Sequence, residues 1–139
     1  MKNLKMMLLF IAFSTAVVSC KKDEVPSTPS TPDSGSNPVA GRWIGKFGFE
    51  TESPDTYYSF SLKSNGTMEE LNSSNEKIGE GTWTLVGTVF TAKHHYTGGN
   101  GTSFTDVATY NAQTKTFSNG TWGYSNNTSN GGKWFMSKQ

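Results

Sequence analysis

Tyr58-Ser59-Phe60-Ser61-Leu62-Lys63-Ser64-Asn65-Gly66 is a strand that runs into a turn. Large apolar side chains at every second position place Tyr58, Phe60 and Leu62 on one face of an extended chain. Asn65-Gly66 is the strongest short hairpin signal, because both residues tolerate the positive φ of a type I′ turn. Working outward, the same alternation puts Trp43, Phe47 and Phe49 on one face of an earlier strand, with Arg42, Ile44 and Lys46 on the other. Further strands are predicted at about 67–72, 77–86, 88–97, 102–111, 115–124 and 132–138, broken at Asn72 to Asn75, Gly87, Gly98 to Gly101, Asn111 to Thr114 and Asn126 to Gly131. Only Met68 to Leu71 could pass for a helical turn. The expected fold is all-β: an eight-stranded antiparallel up-and-down meander, closed or nearly closed into a small barrel, which removes the exposed edges of an open sheet.

Closure needs a core, and the chain supplies one in rings. Of nine Phe, only Phe10 and Phe13 precede residue 38; all five Tyr and all four Trp follow it. Each Trp stands two positions after a glycine, in Gly41-Arg42-Trp43, Gly81-Thr82-Trp83, Gly120-Thr121-Trp122 and Gly132-Lys133-Trp134. Glycine lets a strand coil sharply where a sheet curves, and the ring fills the space beneath. The spacing of the first three glycines is close to that of a propeller blade, but four such blades need about 160 residues, more than the whole chain of 139.

Gly41-x-Trp43 at the start of the first strand resembles the motif that opens the lipocalin barrel, and the strand pattern resembles the calycin group of lipocalins and avidins. The resemblance implies a small barrel with Trp43 closing its floor, and an interior able to take a small hydrophobic ligand. The likeness to avidins is confined to size and Trp-rich strands, so biotin is not implied.

The first 19 residues hold Lys2 and Lys5, then an apolar run from Met6 to Phe13 that continues through small residues to Val18. That is the pattern of a secretory leader, too short for the roughly 20 residues a membrane crossing needs. Val17-Val18-Ser19-Cys20 resembles the lipobox of bacterial lipoproteins, which implies acylation of Cys20, the chain's single cysteine, and attachment to the lipid bilayer. Acyl chains hold at about 0.8 kcal/mol per buried CH₂. Lys22, Asp23 and Glu24 resemble the export signal of Bacteroidota surface lipoproteins, which implies the outer membrane and its exterior face. Residues 20–38 hold four of the five prolines among Ser and Thr and are expected to form a disordered tether; residues 39–139 form the domain. Without residues 1–19 the chain has 10 basic and 11 acidic residues, so nothing favours a nucleic-acid partner.

Chemistry is sparse. His94 and His95 are the only histidines, and as strand neighbours they point to opposite faces, which argues against a shared metal. Lys93 is expected beside Asp106 on the next strand as a cross-strand ion pair. Glu69 and Glu70 diverge on their strand; with Glu50 and Glu80 they are expected on solvated surface. The Asn-x-Ser/Thr triplets at Asn65, Asn72, Asn100, Asn119, Asn126 and Asn127 are read as turns. No cofactor, metal or catalytic constellation is expected. Rings at Trp43, Phe47, Phe49, Tyr58, Phe60, Trp83, Phe90 and Trp122 are inward candidates that together could fill the barrel; if they do, binding moves to the open end or to the outer face, where a groove flanked by Tyr96, Tyr110 or Tyr124 is the expected platform. The candidate ligand residues are therefore Trp43, Phe47, Tyr58, Trp83, Phe90, Tyr96, Tyr110, Trp122 and Tyr124, for a small hydrophobic or carbohydrate ligand. The alternative is a filled barrel that docks onto an outer-membrane complex or an extracellular protein; an enzyme ranks third. If Cys20 is the attachment, Cys20→Ala abolishes acyl labelling and moves the protein out of the membrane fraction. Normal labelling and fractionation of that variant would remove the anchor.

Overall fold

The computed structural model describes residues 37–139. The leader, Cys20, Lys22, Asp23, Glu24 and the tether up to residue 36 lie outside the described residues. Eight strands follow in order: β1 (Gly41–Phe49), β2 (Thr56–Leu62), β3 (Thr67–Leu71), β4 (Lys77–Val86), β5 (Val89–Tyr96), β6 (Ser103–Asn111), β7 (Thr116–Tyr124) and β8 (Gly132–Lys138). Each pairs antiparallel with the next, and β8 pairs back onto β1 from Trp43↔Lys138 to Phe49↔Gly132, closing the barrel. The architecture is consistent with a calycin-like fold. Met68 to Leu71 is strand, not a helical turn. Every strand finds both neighbours, and the core residues run from Val39 to Met136.

The β2–β3 turn differs from expectation. Of Asn65-Gly66, only Gly66 has a positive φ, at 84°. Its N–H donates to Lys63 O, while Asn65 Oδ1 accepts from the Thr67 N–H at 3.0 Å. The asparagine acts through its side chain rather than through a left-handed backbone. Asn119 likewise departs from a turn role: it lies inside β7 with φ 52°, where the pairing to β8 shifts register between Phe117 and Gly120.

The two ends of the barrel differ. At one, Trp43 is 0 % exposed, stacks on Phe117 at 4.0 Å and meets the edge of Tyr110 at 6.0 Å. Phe90, Trp134, Leu62, Met68 and Met136 fill the same half, while Ala92 and Ala108 face inward and give the larger rings room. Both ends of the described chain lie here: buried Val39 accepts the Trp43 indole N–H at 2.7 Å, and the Gln139 N–H donates to Arg42 O. All four indole N–H groups donate to backbone carbonyls, the others going from Trp83 to Lys63, from Trp122 to Gly48 and from Trp134 to Thr121. A buried ring with a polar edge is thus fully satisfied. Trp43→Ala is expected to cost about 3–5 kcal/mol, whereas Phe135→Ala, on the outer face and 45 % exposed, costs under about 1 kcal/mol. Urea unfolding of the two variants checks the contrast.

Candidate functional site

At mid-height the barrel wall carries charge inward. His94 on β5 and Glu70 on β3 are separated by β4, whose inward positions beneath them are Gly79 and Gly81. A Cβ at Gly81 would fall 2.7 Å from the His94 Cβ, and one at Gly79 would fall 3.2 Å from the Glu70 carboxylate. Glycine at both positions lets the two side chains reach across β4. His94 Nδ1 then lies 3.2 Å from Glu70 Oε2, off the N–H direction, as an ion-pair contact rather than a hydrogen bond. From the other side Asp106 Oδ2 sits 2.8 Å from His94 Nε2, and Asp106 Oδ1 accepts the Tyr58 hydroxyl at 2.9 Å. All four residues are buried.

Burial alone would disfavour an imidazolium here, but the contacts with Asp106 and Glu70 outweigh it and hold His94 up at about 9. Burial, then the same two carboxyl groups, push the Tyr58 hydroxyl well above its usual value. With both ring nitrogens turned to carboxylates, His94 has none free to take a proton from a bound molecule.

Above this cluster the barrel opens into a cavity of about 290 Å³. His94 and Tyr58 reach its floor; Phe47 and Phe49 of β1, Tyr96 of β5, Phe104 of β6 and Trp122 and Tyr124 of β7 form its wall, with Thr102 at the rim. The rings brace one another: the edge of Trp122 meets Phe47 at 5.9 Å and Phe49 at 5.6 Å, and Phe104 lies 5.0 Å from Tyr96 and 5.8 Å from Tyr124. The Trp122 indole bond to Gly48 O, at 3.0 Å, fixes that ring across the β1–β7 side of the mouth. Phe49 and Tyr124 are nearly half exposed, which leaves the rim open.

The residues predicted from sequence divide between the two halves. Phe47, Tyr58, Tyr96, Trp122 and Tyr124 line the cavity. Trp43, Trp83, Phe90 and Tyr110 belong to the packed core instead, and Tyr110 is at the end opposite the mouth, against Trp43. The predicted Lys93–Asp106 pair does not form. Lys93 faces Thr105, and its ammonium reaches Asn126 Oδ1 at 3.3 Å on the outer face, while Asp106 pairs in register with Ala92 and points inward, 0 % exposed. One residue of register exchanges the two faces of a strand. Glu70 is likewise buried rather than solvated, whereas Glu69 points out to Lys63 at 2.8 Å. His94 and His95 do face opposite sides, His95 lying outside, 4.0 Å from Glu80. Sequence reasoning missed Phe49, Glu70, His94, Asp106, Thr102 and Phe104 as site residues, although it faced Phe49 inward. The signal was available in the alternation: with Phe90 facing inward, period two carries His94 inward too, and Phe104 carries Asp106.

Among the described residues no group of His, Cys, Asp and Glu is arranged to hold a metal ion. No protein-family model, curated protein or solved structure matches this chain.

The raised His94 value has a defined sign. The folded ring holds its proton more tightly than an unfolded histidine at about 6.5, so this stabilisation is complete below pH about 6.5 and is lost as pH rises through about 9. Urea midpoints should therefore fall between pH 6.5 and 9.5 in the parent chain, with a smaller fall in His94→Gln. Identical pH dependence in both would mean that the imidazolium does not hold the cluster together.

Proposed function

We propose that this chain is a lipid-anchored protein of the bacterial outer membrane, facing the cell exterior, whose barrel takes a small hydrophobic or carbohydrate ligand at its open end. The observation that carries the reading is the division of the barrel: one half packed solid around Trp43, the other a cavity of about 290 Å³ walled by rings. That volume sits at the lower limit of small-molecule pockets, roughly 300 Å³, and suits a ligand of one or two rings. Aromatic faces stack on apolar molecules and on the faces of sugars, and the Tyr96, Tyr124 and Thr102 hydroxyls offer polar edges to orient what is bound. Val39 and Gln139 lie at the packed end, away from the mouth. Because both His94 nitrogens face carboxylates, the floor is suited to recognition rather than proton transfer.

A docking module remains the second reading, favoured by the exposure of Phe49 and Tyr124 at the rim. Aromatic residues of this kind are enriched at protein interfaces. Titration of the Cys20→Ala chain with an apolar fluorescent probe and a saccharide panel separates the two. The ligand reading predicts saturable one-to-one binding, weakened about tenfold or more by Trp122→Ala, the order expected for losing a central aromatic contact, and unchanged by Trp83→Ala in the packed half. Absence of binding, with one defined envelope protein retained on the barrel, would favour docking.

A further inference from the structure

The four connections at the open end are residues 50–55, 72–76, 97–102 and 125–131; they contain Glu50, Glu52, Asp55 and Glu76 and no lysine or arginine. The three hairpin connections at the packed end, residues 63–66, 87–88 and 112–115, contain Lys63 and Lys115 and no acid. The barrel is therefore polarised, negative around the mouth. Beneath the cavity lie two carboxyl groups and a single imidazole, so the buried cluster also carries more acid than base. Of the lysines on strands near the mouth, Lys77 pairs with Glu80 at 2.7 Å and Lys93 reaches Asn126, while Lys46 and Lys133 stand exposed on the outer face of β1 and β8, two cations against the four acids of the mouth connections.

We propose that the ligand of the open-end cavity is an organic cation, a quaternary ammonium or protonated amine small enough for about 290 Å³, held against the aromatic wall away from the His94 ring at the floor, in the field of the acidic mouth and of Glu70 and Asp106, which contact His94 but do not themselves line the cavity. This deepens the pocket reading and rests on it. Ring faces attract cations through their quadrupole, and the attraction strengthens where water is excluded. The side chains of Phe47, Phe49, Phe104 and Trp122 supply several such rings within one cavity. A carboxylate or phosphate ligand would meet no free cation: His94 is the one basic group lining the cavity, and its nitrogens face Asp106 and Glu70. Burial, and then the negative charge of Glu70 and Asp106, push the Tyr96 hydroxyl up to about 12.

The test compares benzyltrimethylammonium with its uncharged carbon isostere, neopentylbenzene, on the purified Cys20→Ala chain by Trp fluorescence and calorimetry. The cation is expected to bind at least about tenfold more tightly, the scale of a desolvated cation–π contact, and to weaken as salt is raised. The exposed triple variant Glu50→Gln, Glu52→Gln, Asp55→Asn leaves the core untouched and should weaken the cation about threefold or more, as screened surface charges do, without affecting the isostere. Glu70→Gln, checked for folding by circular dichroism, should erase most of the preference; Lys63→Gln at the packed end should change nothing. Equal or tighter binding of the isostere, or a cation affinity indifferent to both acidic variants, overturns the cation proposal and leaves the pocket reading intact. If neither compound nor any saccharide binds saturably, the pocket reading itself falls, and the cation proposal with it.

Discussion

Two carboxyl groups and an imidazole sealed inside a barrel of aromatic rings would each cost several kcal/mol in lost hydration if left alone. The Glu70–His94–Asp106–Tyr58 cluster offsets that cost by mutual contact, and much else in the barrel follows from it. β4 must present Gly79 and Gly81 to the interior so that β3 and β5 can touch across it. Tyr58 must cross from β2 to spend its hydroxyl on Asp106. The ring of His94 lies among aromatic neighbours, 5.6 Å from Phe60 and 5.4 Å from Phe104.

The cluster also divides the barrel. Below it, Trp43, Phe117, Phe90 and Trp134 stack and interlock, a half built for stability. Above it, the rings of β1, β5, β6 and β7 stand around a space rather than filling one. An eight-stranded interior is just wide enough to be filled or to hold one small ligand, and this chain does both in succession. The charge of the connecting loops follows the same division, acidic at the mouth and basic at the packed end.

Strand order and limits were legible because period-two alternation and Asn or Gly turn residues recur along the whole domain. Trp43 was legible as a floor residue through the resemblance of Gly41-x-Trp43 to the motif that opens the lipocalin barrel. Which rings share a level of the barrel was not, since that depends on the stagger between strands; Tyr110 therefore sits beside Trp43 and not beside Tyr124. The cluster was obscured for a different reason. Asp106 looks like a surface acid when Lys93 is placed opposite it, and Glu70 looks solvated unless the inward glycines of β4 are recognised as space. Facing His94 inward required only the alternation from Phe90; what it would meet there required the structure.

Four indole N–H groups, each donated to a known carbonyl, report separately on the two halves of the barrel. Their ¹⁵N–¹H resonances, followed while the Cys20→Ala chain is titrated in turn with benzyltrimethylammonium, neopentylbenzene and the saccharide panel, test most directly whether the open half is a ligand pocket above a packed core. The account predicts that the Trp122 resonance moves and saturates while those of Trp43, Trp83 and Trp134 stay in place. Movement of Trp43 or Trp134 equal to that of Trp122, or no movement at all, would contradict it.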